Sequence, residues 1–149
     1  MIAFIATRAR SILASLLCVA LLFSLSGCGG SGPSLFPVEG KVTIDGKALA
    51  RGTIAFHPDA KKQNTLKKAL AGDIKDGSYT IYTDGKPGAP AGWYNVTVAA
   101  ATEADSTKPE LAKSLVNPKF GDPAKTPLSV EVSSSPKAGA YEFNVEANK

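Results

Sequence analysis

The chain is short of the side chains that usually do chemistry. Its 149 residues include one histidine, two cysteines, one methionine and one tryptophan. A lone imidazole has no second histidine with which to share a metal, and two cysteines allow at most one disulfide. Acidic runs are absent as well, and the apparent basicity is shallow. Seventeen basic residues face thirteen acidic ones, but Arg8 and Arg10 fall in a stretch, residues 1–27, that holds no acid. Beyond that stretch the formal charge is only +2. Nucleic-acid binding depends on a concentrated basic face, so a balance this small argues against nucleic acid as a partner. Apolar runs are also few. The one long run, Ile12 to Phe23, falls short of the roughly 20 residues that a spanning helix needs.

What is present at the N-terminus is an export signal: two arginines, then the apolar run, then the small residues Ser24, Ser26 and Gly27. Leu25-Ser26-Gly27-Cys28 closes it and resembles the cleavage box of bacterial lipoproteins. That resemblance implies that Cys28 receives a diacylglyceryl group, becomes the new N-terminus and holds the protein on a membrane. Ordinary cleavage after Ser24-Leu25-Ser26, or an uncleaved anchor, is the competing reading. Gly29 rather than Asp follows the cysteine, which by the same resemblance favours the outer membrane of the cell envelope. Cys18 lies inside the apolar run, so the exported chain keeps only Cys28 and no disulfide. The expected organisation is a leader over 1–27, a lipidated cysteine with the flexible linker Gly29-Gly30-Ser31-Gly32-Pro33-Ser34 over 28–35, and one domain over 36–149.

Within that domain the hydrophobic period is two. Val38, Gly40, Val42 and Ile44 alternate with Glu39, Lys41, Thr43 and Asp45, the pattern of a strand buried on one face. Ile54 with Phe56, the segment around Ile74, Tyr79 to Thr83, Trp93 to Val98, Leu128 to Val132 and Tyr141 to Val145 repeat it. Asp45-Gly46, Asp76-Gly77 and Asp84-Gly85 are hairpin turn signals. About seven half-buried strands joined by Gly/Pro turns predict an all-β antiparallel β-sandwich, since each sheet has one apolar face to hide. One segment departs from the period. Thr107 and Glu110 have capping-box spacing and Leu111, Leu115 and Val116 recur helically, which predicts a short helix between Ala101 and Phe120, ended by Pro118.

Pro37-Val38-Glu39-Gly40-Lys41-Val42, Gly52-Thr53-Ile54-Ala55-Phe56, Asp76-Gly77-Ser78-Tyr79 and Gly92-Trp93-Tyr94-Asn95-Val96-Thr97-Val98 resemble the transthyretin-like, carboxypeptidase regulatory-like sandwich of small bacterial lipoproteins. The resemblance implies an accessory, adhesive or binding module and says little about activity. One branch of transthyretin-like proteins hydrolyses 5-hydroxyisourate with a site of histidines and arginines and a Tyr-Arg-Gly-Ser ending. Here Arg51 is the only arginine after residue 27, and the chain ends Val145-Glu146-Ala147-Asn148-Lys149.

No catalytic set, metal site or cofactor site emerges from the residues. His57 lies at a strand end without a neighbouring nucleophile in sequence, and reads as structural or solvated. Lys61, Lys62, Lys67 and Lys68 form a basic loop that reads first as solvated surface. Strand parity turns Tyr79, Tyr94 and Tyr141 inward and leaves Trp93 and Tyr82 outward, so those two are the candidates for a surface contact such as sugar stacking. The function expected is therefore a non-catalytic, membrane-tethered envelope module that binds or supports an envelope protein or polymer. A carbohydrate-binding accessory module is the alternative and a hydrolase of the transthyretin-like type the remote one.

Overall fold

Alternating apolar residues become strands here because each strand can bury one row of side chains and leave the other in water. A computed structural model describes residues 32–102 and 112–149, and its folded unit is Pro33–Lys149. The strands are β1 (Leu35–Phe36), β2 (Glu39–Ile44), β3 (Lys47–Ala48), β4 (Arg51–Pro58), β5 (Leu70–Lys75), β6 (Ser78–Thr80), β7 (Tyr82–Thr83), β8 (Lys86–Pro87), β9 (Ala89–Pro90), β10 (Gly92–Ala99), β11 (Ser129–Val132) and β12 (Glu142–Val145). Their main sheet runs β11-β10-β4-β5-β6-β2-β12 and is antiparallel except that β12 lies parallel to β2. Sheet β11-β10-β4-β5 forms one layer and β6-β2-β12 the other, the chain passing between them at the β5–β6 hairpin. The result is the all-β sandwich that the period predicts.

The hairpin turns follow from their sequences. Asp45 and Gly46, Asp76 and Gly77, and Asp84 and Gly85 all have positive φ, from 49° to 80°, the backbone of a tight two-residue turn. Aspartate tolerates that region better than most residues, and glycine enters it without steric penalty.

The two layers meet on aromatic rings. Phe56 on β4 stands 5.8 Å from Tyr94 on β10, 6.3 Å from Tyr79 on β6 and 6.2 Å from Phe143 on β12, ring centre to ring centre. Ile54, Val96, Val98, Val38, Val42 and Val145 fill the space around them and are fully buried. The polar ends of these rings are served by backbone: Tyr94 Oη donates to the Pro90 carbonyl at 2.8 Å and Tyr79 Oη to the Tyr141 carbonyl at 2.9 Å. Burial, with Tyr141 beside it, drives the Tyr79 phenol far above its ordinary pKa. Gly40 is needed where β2 runs beside the entry to β12, since a Cβ there would stand 1.9 Å from the Tyr141 carbonyl oxygen.

The segment expected to be helical takes a different form where it is described. Residues 103–111, with Thr107, Glu110 and Leu111, lie outside the described residues. Beyond them Ser114 bridges to Ala101 and Val116 to Ala147, so Leu115 and Val116 are extended rather than helical. The short helical element before β11 is a single 3₁₀ turn, Pro118–Phe120, which Pro118 begins rather than ends. Asn117 caps it by accepting the Lys119 amide, and Phe120 is buried. The reason is tertiary. The Leu115 amide is taken by the Ala100 carbonyl and the Leu115 carbonyl by the Asn148 amide, so the strand ends of both layers recruit this backbone before it can coil. Among the described residues no helix is long and apolar enough to cross a membrane.

Candidate functional site

Leu25, Ser26, Gly27 and Cys28 lie outside the described residues. What the fold presents is therefore the outer surface of the sandwich, where Trp93 and Tyr82 were expected.

Register puts both on the outer face of one layer. Tyr82 pairs with Ala71, Ala71 with Ala55 and Ala55 with Thr97, so Tyr82 shares a row with the outward side of β10, to which Trp93 also belongs. They do not form one site. Trp93 lies three strands away and four residues along, about 14 Å by 13 Å on the sheet lattice. Their surroundings differ too. Trp93 is half-buried and its ring is capped by Lys62, whose Nζ sits 3.6 Å from the ring centre and also donates to Ser129 Oγ at 3.2 Å. The Trp93 carbonyl accepts from the Asp59 amide and from Asn64 Nδ2, both at 2.9 Å, which fixes the 59–69 loop against it. One face of the indole is thus already occupied by the protein's own cation. Nothing in the sequence spacing announced Lys62 as its partner, because the contact arises where β4 returns alongside β10.

Tyr82 is open, with 49% of its surface exposed. It stands at one end of a shallow groove of ≈760 Å³ that crosses the outer side of the bend between the layers. Glu39, Asp73 and Glu142 line it with carboxylates, Lys41 and Lys75 with ammonium groups, and Ser78 and Thr80 with hydroxyls. Gly72 keeps the bend closed: a Cβ there would be 2.1 Å from the Thr80 carbonyl oxygen. Of these groups, Glu39, Lys41 and Glu142 were legible in the sequence as outward residues. Their convergence was not, because it depends on how sharply the sheet coils between β5 and β2.

His57 lies on the same outer face as Trp93, and its Nε2 is 2.9 Å from Thr97 Oγ1. Partial burial holds its imidazole below the ordinary pKa of 6.5, so it is neutral at neutral pH. Among the described residues no carboxylate hydrogen-bonds to it, which leaves Thr97 without the oriented base that an activated hydroxyl requires. Also among the described residues, no three or more His, Cys, Asp or Glu side chains converge on a point that could hold a metal.

No protein family, no curated protein and no solved structure matches this chain.

Proposed function

We propose that this is a lipid-anchored module of the bacterial cell envelope, non-catalytic, whose sandwich is displayed for binding to or support of an envelope protein or polymer. The observation that carries the reading is Leu25-Ser26-Gly27-Cys28 at the end of an export signal, seven residues before the first strand begins at Leu35. The acyl chains of a thioether-linked diacylglyceryl group contribute about 0.8 kcal/mol per buried methylene, so several chains on one cysteine retain a small domain at a bilayer without help from the fold. Gly29 after the cysteine favours the outer membrane. The small-lipoprotein resemblance of the strand motifs supports the same class.

The test is the intact mass and membrane partitioning of the protein expressed with its own leader, beside Cys28→Ser. A chain starting at an acylated Cys28 that sediments with membranes, and a soluble Cys28→Ser, are expected. An unmodified soluble wild type would refute the anchor.

A second reading, carbohydrate binding, draws support from Tyr82. It is an exposed ring flanked by carboxylates, ammonium groups and hydroxyls, the combination that stacks on a sugar face and bonds its hydroxyls. Trp93, capped by Lys62, supports it less. Retention on envelope glycans that Tyr82→Ala abolishes and Trp93→Ala leaves intact would favour this version; retention insensitive to both would dismiss it.

A further inference from the structure

The two ends of the sandwich differ in charge. Register brings the N-terminal entry, the 59–69 loop, the β7–β8 hairpin and the 133–141 loop to one end: Leu35 pairs with Pro90, Tyr94 with Pro58, Gly92 with Val132, and Lys68 forms an ion pair with Asp84. Those loops carry Lys61, Lys62, Lys67, Lys68, Lys86 and Lys137 against only Asp59 and Asp84. Both acids are engaged. Asp84 holds Lys68, and Asp59 is buried, its carboxylate accepting the Lys61 amide at 3.0 Å. Lys61, Lys67, Lys86 and Lys137 have no ion-pair partner among the described residues. At the opposite end Lys119 pairs with Glu146 and Lys125 with Asp122, while Lys47, Lys113 and Lys149 form no ion pair among the described residues but share that end with Asp45 and Asp76.

The basic loop is also built rather than loose. Asp59 caps its 3₁₀ turn, Gln63 takes a left-handed backbone at φ 64°, and Asn64 holds the Trp93 carbonyl while accepting the Leu66 amide. With Asp59 and Asn64 turned inward, the lysines are left on the outside.

This charged end is also the end the chain enters. Leu35 is seven residues from Cys28, a reach of at most about 25 Å when fully extended. A tether that short keeps the domain near the surface and lets its entry end come within the about 8 Å over which a surface charge is felt at physiological salt. We infer that the lysine-bearing end of the sandwich docks on the anionic phosphate headgroups of the membrane that holds Cys28, which fixes the orientation of the domain. The inference rests on the lipid-anchor reading for its geometry. The surface itself is separable from the anchor.

The experiment therefore has two arms. In the first, the acylated full chain is reconstituted into vesicles of phosphatidylcholine alone or mixed with phosphatidylglycerol. Its lysines are then acetylated with a water-soluble active ester and read by mass spectrometry. Lys61, Lys67, Lys86 and Lys137 should react about fivefold more slowly on the anionic vesicles, with Lys113 and Lys149 unchanged and the difference lost at high salt. Equal rates on both vesicles overturn the inference while leaving the anchor standing. Protection by a soluble polyanion on neutral vesicles that matches or exceeds the phosphatidylglycerol effect overturns it too, and would assign the surface to an acidic polymer. In the second arm, the unacylated Cys28→Ser chain is sedimented with phosphatidylglycerol vesicles. Salt-sensitive binding that falls about tenfold or more in the Lys61→Gln, Lys67→Gln, Lys86→Gln triple variant supports the surface whatever becomes of the anchor; binding unchanged by those substitutions overturns it.

Discussion

The inner and outer surfaces of the β11-β10-β4-β5 layer are made by the same strands, residue by residue in alternation, and have opposite physics. On the inner side Tyr94, Phe56, Val96 and Ile54 are fully buried, ring against ring, with each buried tyrosine hydroxyl of β10 and β6 bonded to a backbone carbonyl. On the outer side Trp93, His57 and Thr97 are joined by single polar or cation–π contacts, and Tyr82 stands in an open groove. Trp93 and Tyr94 are neighbours in sequence with comparable apolar area. The tyrosine is part of the stability of the fold, and the tryptophan lies on its outer side beneath Lys62. Strand parity alone separates them.

The sharpest way to break that contrast is to damage the inner side. Tyr94→Ala should cost about 3–5 kcal/mol, much of the stability of a domain this size, and Val96→Asp, which buries an unpaired charge, should prevent folding. Thermal and urea melts check both, and a melting temperature unchanged in either would mean that the face is assigned wrongly. Next in size is the contact between β2 and β12 within the second layer. Gly40→Ala places a Cβ against the Tyr141 carbonyl at a separation no packing tolerates, so β12 must shift at a cost of about 1–3 kcal/mol, read as a lower urea midpoint. A silent Gly40→Ala would show that β2 and β12 lie more loosely side by side than the carbonyl approach implies.

The smallest effects belong to the outer side. Lys62→Met should remove about 0.5–1 kcal/mol of cation–π stabilisation and shift the emission of the single tryptophan. Tyr82→Ala should change stability by less than about 0.5 kcal/mol. A Tyr82→Ala variant as damaged as Tyr94→Ala would erase the distinction between the two surfaces.

Much of this layout was legible beforehand. The alternation in residues 38–44 and 93–98 placed the buried rows, and three Asp-Gly pairs placed the turns. Tyr79, Tyr94 and Tyr141 went inward and Tyr82 outward as parity required. Illegible were the features made by distant segments. Leu115 and Val116 have helical spacing, yet Ala100, Ala147 and Asn148 claim their backbone. The short pairing of β1 with β9 joins Leu35-Phe36 to a proline-rich stretch that reads locally as a turn. Trp93 looked free because Lys62 reaches it only after β4 and β10 are paired.

Sequence by itself determined the strand faces and the turns, because each is encoded by neighbours in the chain: side-chain period and backbone tolerance at Asp-Gly. Only the tertiary structure decided that Trp93 is capped while Tyr82 lines a groove, and that six lysines from separate loops gather where the chain enters the sandwich. Those outcomes depend on register and sheet coiling, which bring together residues that no local pattern links.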